Sequence, residues 1–230
     1  MRDYYKTSDG KVFDSFQSAQ AHQNIQAELN AASKSSSNKP PESWSVTDYK
    51  FSNGDIYTGR IHKGYPWGEG IYKYKKSGDV YEGNFLDGEK HGKGKYTWAS
   101  GTVYEGDFTD SAPNGKGKKI FTNGNIYEGD FVNWEQTGKG KMTYASGNIY
   151  VGDFVDGKAT GKGTMTYANG DFCEGDFIDG KANGKGKYIF KKGIIYEGDF
   201  ANGLPNGIGK RIAEDCTIQD GRFENGKFVG

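Results

Sequence analysis

One five-residue stretch returns along most of this chain at a fixed step, and no other feature restricts the fold so tightly. Tyr127-Glu128-Gly129-Asp130-Phe131 is matched by Tyr81-Glu82-Gly83-Asn84-Phe85, Tyr104-Glu105-Gly106-Asp107-Phe108 and Tyr150-Val151-Gly152-Asp153-Phe154. It is matched again by Cys173-Glu174-Gly175-Asp176-Phe177 and Tyr196-Glu197-Gly198-Asp199-Phe200. Opening residues at 81, 104, 127, 150, 173 and 196 give a period of 23. A degenerate copy opens at Tyr57, 24 residues before Tyr81, and a partial one at Gln219 closes the series. A fixed period of this length means a repeat array, in which each unit buries apolar surface only against its neighbours.

Other landmarks keep phase. A Gly-x-Gly pair follows eleven residues after each opening position, as in Gly115/Gly117, Gly138/Gly140 and Gly161/Gly163. An aromatic comes next (Phe121, Tyr144, Tyr167), then a turn glycine (Gly124, Gly147, Gly170), mostly within Asn-Gly or Ser-Gly. Alternation with period two puts Tyr127, Gly129 and Phe131 on one strand face and Glu128, Asp130 and Val132 on the other. A second strand carries Gly138, Gly140 and Met142 on one face and Lys139 and Lys141 opposite. Joined by a loop of about six residues, the two make a hairpin, and the Asn-Gly turn leads to the next. The expected fold class is an all-β repeat array: an elongated single-layer antiparallel β-hairpin meander, preceded by a small N-terminal hairpin-helix segment. About fifteen strands spaced ~4.8 Å apart make a rod on the order of 70 Å long.

The Tyr-Glu-Gly-Asp-Phe stretch, the Gly-Lys-Gly pair and the Asn-Gly turn resemble the MORN repeat family, over residues ~49–230. The resemblance implies a β-hairpin array used for protein interaction or dimerisation, often beside an enzyme domain that this chain lacks. It also implies a second role, docking on anionic phospholipid.

Composition excludes several classes. Thirty acidic and thirty basic residues cancel, so nothing global calls for nucleic acid. No apolar run approaches the ~20 residues of a membrane span, and no signal-peptide pattern opens the chain. Of the 37 glycines, all but Gly10 and Gly230 fall on repeat phases, which makes them structural. Cys173 and Cys216 would stand on the order of 14 Å apart in a hairpin stack, beyond bridging distance. Two reduced thiols fit a cytoplasmic protein.

Along the chain, residues 1–32 lie outside the array. Tyr4-Tyr5-Lys6 and Val12-Phe13 around a Ser8-Asp9-Gly10 turn suggest a hairpin, and Ala21, Ile25, Leu29 and Ala32 share one face of a helix. This segment is a cap for the first edge, a binding module of its own, or a loosely attached helix. Residues 33–43 read as a polar linker and 44–230 as the array, with repeats starting at 57, 81, 104, 127, 150, 173 and 196 and a partial copy at 219.

No catalytic chemistry is expected. Gly-Lys-Gly-Lys lacks the spacing and helix of a phosphate loop. His22, His62 and His91 have no repeated carboxylate or cysteine partner, and no metal spacing occurs. The chain reads as a non-enzyme without cofactor, metal or small-molecule substrate. The expected partner is a protein or peptide, with self-association a further option. The expected contact surface is an aromatic and glycine-lined groove at Tyr104, Phe108, Tyr127, Phe131, Tyr150 and Phe154, with Trp134 closing one edge. The alternative is peripheral association with anionic phospholipid through Lys93, Lys116, Lys139, Lys162 and Lys185. The acidic column Glu82, Glu105, Glu128, Glu174 and Glu197 is expected to pair with those lysines and argues against lipid.

Overall fold

The computed structural model describes residues 5–6, 12–13 and 43–230. Among them every regular element is a strand. The first two, β1 (Tyr5–Lys6) and β2 (Val12–Phe13), pair antiparallel with Tyr5 opposite Phe13, as the sequence suggests. The helix expected within residues 14–32 and most of the 33–43 linker lie outside the described residues.

The chain divides into two units between Gly117 and Lys118. In the first unit β3 (Ser43–Lys50), β4 (Ile56–His62), β5 (Tyr65–Lys73), β6 (Val80–Leu86), β7 (Glu89–Thr97) and β8 (Val103–Thr109) each pair antiparallel with the next. β9 (Ala112–Ile120) follows. In the second unit the same meander runs through β10 (Ile126–Val132), β11 (Glu135–Thr143), β12 (Ile149–Val155), β13 (Lys158–Thr166), β14 (Phe172–Ile178) and β15 (Lys181–Ile189). It continues with β16 (Ile195–Ala201), β17 (Leu204–Ile212), β18 (Ile218–Glu224) and the short β19 (Lys227–Phe228).

Two local features differ from the expected hairpin. The connection inside each repeat is a two-residue turn rather than a loop of about six. Val132 still pairs with Glu135, and the turn residues Asn133 and Trp134 have φ of +48° and +73°. Asp87-Gly88, Asp156-Gly157 and Asn202-Gly203 repeat this geometry, the type I′ turn that matches strand twist and favours Asn or Asp followed by Gly. Secondly, Gly-x-Gly does not sit in a regular strand. Gly129 pairs with Gly140 but Asp130 pairs with Thr137, so Gly138 and Lys139 bulge out, and Gly138 takes φ +59°. Glu135, Gln136 and Thr137, which alternation alone assigns to a loop, thereby belong to β11.

Trp134 occupies the turn position where the other repeats carry Gly, apart from Ser111 in the third. Trp134→Gly should therefore melt higher than Trp134→Ala, by the equivalent of about 1 kcal/mol, because only Gly enters the left-handed region without strain. Equal melting temperatures would mean that the lost ring, not the turn, sets the stability there.

Glycine and tyrosine are coupled in the core. A Cβ on Gly140 would lie 2.5–2.6 Å from the Tyr127 ring, and one on Gly129 would lie 2.6 Å from the Gly140 Cα. Each opening tyrosine lies flat across the glycine pair of its own hairpin. Its hydroxyl then donates to a main-chain carbonyl freed near the bulge, Asp130 for Tyr127 (3.0 Å) and Asp153 for Tyr150 (3.1 Å).

Candidate functional site

The residues that sequence reasoning assigned to a groove are interior. Tyr104 and Phe108 in the first unit are 0% and 1% exposed; Tyr127, Phe131, Tyr150 and Phe154 in the second are at most 2% exposed. Each phenylalanine fills the gap between consecutive tyrosines. Phe154 stands edge-on to Tyr127 at 4.8 Å and to Tyr150 at 5.3 Å, and Phe177 repeats this against Tyr150 at 5.1 Å. In this conformation a ligand would not meet these rings. Trp134 is half-buried at the hairpin tip.

The charges pair differently from the expected columns. The first lysine of Gly-Lys-Gly reaches the aspartate of the following repeat rather than the glutamate column. Lys93 Nζ lies 2.6 Å from Asp107, Lys139 2.6 Å from Asp153, Lys162 2.7 Å from Asp176 and Lys185 2.6 Å from Asp199. The same aspartates accept a main-chain N–H across their own bulge, Asp153 from Lys162 and Asp199 from Ile208. Each aspartate thus closes its bulge and ties it to the preceding repeat. Glutamates face the second lysine: Glu128 lies 3.4 Å from Lys118, and Glu174, Lys187, Glu197, Lys210 and Asp220 stand opposite one another in register.

A second clamp joins successive turns and was not legible from the motif. Asp55 accepts from Lys75 N–H (2.9 Å) and from Tyr72 OH (3.0 Å); Asp79 does so from Ala99 (2.9 Å) and Tyr96 (2.8 Å), and Asp171 from Lys191 and Tyr188 (both 2.9 Å). Where the tyrosine is replaced by Met142 or Met165, the clamp is Asn125 or Asn148. A carboxylate appears only where a hydroxyl occupies its second oxygen.

What remains accessible is the face opposite the rings. In the second unit an open depression of about 700 Å³ is lined by Lys185, Gly186, Glu197, Ile208, Lys210 and Asp220, among others. Two residues along each strand runs an apolar row, Phe172, Ile189, Ile195, Ile212 and Ile218, paired strand to strand. An alternating-charge row thus lies beside a half-exposed apolar one. No side chain here is arranged as a nucleophile with a base.

Seven successive stretches, residues 57–78, 81–103, 104–126, 127–149, 150–172, 173–194 and 196–215, match the model of the MORN repeat. The chain belongs to the MORN repeat family. Among curated proteins none matches the sequence. Solved structures with a related trace include the wild-type TCP10 domain of Danio rerio CPAP, at 13% identity and TM-score 0.44, covering 75% of this chain and 82% of that one. Another is the SAS-4 (dCPAP) TCP domain of Drosophila melanogaster in complex with a proline-rich motif of Ana2, at 12% and 0.44, covering 68% and 85%. At those scores the likeness carries no functional argument.

Deviations among the MORN units are local and chemical. Lys90 takes a position held elsewhere by Pro113, Ala159 or Ala182, and its ammonium sits 5.7–5.8 Å from the rings of Tyr74, Tyr81 and Tyr96. Cys173 replaces the opening tyrosine and is buried, which pushes its thiol pKa up to about 11; Cys216 is exposed, and both thiols are free.

Stability of the MORN array should fall at both ends of the pH scale. Lys93, Lys139 and Lys185 hold Asp107, Asp153 and Asp199 below the usual carboxylate range. Their contribution is present above the unfolded pKa, near 3.8, and is lost as pH falls through and below it. Burial pushes Tyr57 and Tyr150 up to about 12. That contribution is present below the unfolded value of 10 and is lost as pH rises from there towards 12. Urea midpoints should form a plateau from about pH 5 to 9 with losses on either side. A midpoint still rising above pH 10 would contradict the tyrosine assignment.

Proposed function

We propose that the protein is a non-catalytic interaction scaffold that binds a protein or peptide partner, with self-association as a special case. The carrying observation is the division of labour between faces. The aromatic face is consumed by the fold, while the opposite face of the second unit keeps an open, concave surface with charges beside an apolar row. Such a surface suits a segment that offers both apolar and charged side chains.

Peripheral lipid association is the weaker reading, because four of the five lysines proposed to meet phospholipid have carboxylates within 2.7 Å. A membrane-binding face needs uncompensated basic charge, each residue contributing about 1 kcal/mol near the surface. The test exchanges one facing pair, Lys187→Glu with Glu197→Lys, which keeps a pair across β15 and β16 but inverts the local pattern. Proximity labelling of the intact protein should lose specific neighbours in the exchanged variant at unchanged melting temperature. Identical neighbours in both proteins, or tight salt-resistant binding to phosphatidylserine vesicles, would overturn the proposal.

A further inference from the structure

Beside the closed column of opening tyrosines runs a second aromatic row, at the turns between repeats, and it does not depend on how the charged depression is used. In the second unit it comprises Phe121, Tyr144, Tyr167 and Phe190, one per repeat and each half-buried. The main-chain N–H of each closes its own turn, Tyr144 donating to Asn148 and Tyr167 to Asp171 (both 2.9 Å). Phe121 and Phe190 close theirs in the same way, so the turn needs no hydroxyl.

Two observations set this row apart. The Tyr127, Tyr150, Tyr188 and Tyr196 hydroxyls all donate within the fold. Those of Tyr144 and Tyr167 have no hydrogen-bond partner among the described residues, whereas Tyr74, at the same phase in the first unit, has its hydroxyl taken by Lys90 Nζ at 3.2 Å. The second observation is relief. Tyr188 fills the space between Tyr167 and Phe190, its ring centroid 5.6 and 4.5 Å from theirs. In the two preceding repeats that phase carries Met142 and Met165, 8% and 5% exposed. A recessed, adaptable thioether floor thus separates Phe121 from Tyr144 and Tyr144 from Tyr167.

We propose that Phe121, Tyr144, Tyr167 and Phe190 dock an extended segment in the polyproline II conformation with proline at every third position. The prolines sit over Met142 and Met165, between the rings, and main-chain carbonyls of the segment accept from the Tyr144 and Tyr167 hydroxyls. Spacing selects this occupant. One repeat step is two strands, about 9.6 Å. Three residues of polyproline II rise about 9.3 Å, so the mismatch over the three steps of the row is about 0.9 Å. Seven residues of α-helix rise about 10.5 Å, and the mismatch reaches about 2.7 Å. An extended strand presents side chains on one face every ~6.8 Å and loses phase at the first step. Hydrogen bonding selects the same occupant. Polyproline II has no internal hydrogen bonds, so its carbonyls stay open to a hydroxyl donor, while those of a helix interior are already taken. Aromatic ridges with gaps between them are a recurring receptor for such segments.

Support of the turns is the competing explanation, since a half-buried ring stabilises a turn whatever else it meets. Removing the two hydroxyls separates the readings, because the fold makes no use of them. The probe is a fluorescein-labelled synthetic peptide of about 13 residues, long enough to span the row at ~3.1 Å per residue, with four prolines at every third position and alanine and serine elsewhere. Its reference holds the same residues with the prolines at every fourth position. The full chain should bind the first peptide and bind the second severalfold more weakly. Tyr144→Phe with Tyr167→Phe should weaken the first about tenfold, the loss of two net hydrogen bonds, at unchanged melting temperature. Asn148→Asp with Met165→Tyr, which copies the Asp171 and Tyr188 pair of the next repeat, should fill one gap and weaken binding while the fold stays intact. Equal affinity for the two peptides, undiminished affinity in the double phenylalanine variant, a fall in its melting temperature, or no binding would overturn the proposal. So would tighter binding of a helical peptide with leucine at every seventh position, or a dimer in sedimentation that the double phenylalanine variant dissolves, which would assign the row to a helix or to a second copy of the chain.

Discussion

Replacing Gly140 with alanine should destabilise the protein by about 3 kcal/mol, near the upper end of overpacking effects. The added methyl would sit 2.5–2.6 Å from three atoms of the Tyr127 side chain. The ring has no retreat, because it is fully buried and Phe131 and Phe154 stand edge-on to it at 5.2 Å and 4.8 Å. One repeat lacks the ring. Where the opening residue is Cys173, the atoms nearest a Cβ on the corresponding Gly186 are the Glu174 carbonyl oxygen at 2.8 Å and Phe200 at 3.3 Å, in place of a tyrosine. In a Tyr127→Cys background Gly140→Ala should therefore lose at least half of its effect, a coupling that chemical denaturation of the four proteins of the cycle measures. Additive effects would show that the glycine is required for backbone reasons alone.

Phe154→Ala should be as severe, about 3–5 kcal/mol. This ring joins two repeats, and its removal leaves both Tyr127 and Tyr150 with an open side. In a repeat array each unit is held mainly by its neighbours, so the loss should fall on the adjoining hairpins first. Hydrogen exchange should speed up in β10 to β13 before β17 and β18. Uniform acceleration across the second unit would mean that it folds as one block.

The period carried most of the fold, since strand order, face alternation and the glycine phases all follow from it. What it did not show is what residue type alone leaves ambiguous. Gly157 in a turn and Gly161 in a bulge both take positive φ, and the stretch from Phe154 to Gly161 was read as one loop. The glutamates and lysines were assigned to each other, yet the bulge moves the first lysine opposite the next repeat's aspartate. The better signal was paired deviation. Val151 replaces a glutamate where its facing partner Thr164 replaces a lysine. Ile208 replaces a lysine where Arg222 replaces the aspartate across from it, and Arg222 turns to Glu224 at 3.0 Å. Asp171 goes with Tyr188, and Asn148 with Met165, at one fixed separation. The first two pairs face one another across neighbouring strands, and Asp171 accepts from the Tyr188 hydroxyl. The burial of the groove residues was not legible because aromatic residues beside glycine suit an open platform as well as a ring packed on bare backbone.

Site-resolved nitration of tyrosine most directly tests whether the aromatic column is interior and the opposite face is left for partners. Under native conditions Tyr104, Tyr127 and Tyr150 should remain unmodified, as expected for residues with no exposed surface, and should react once urea unfolds the chain. Nitration of Tyr127 or Tyr150 while the β-sheet circular dichroism is intact would contradict the account and return the binding site to the rings.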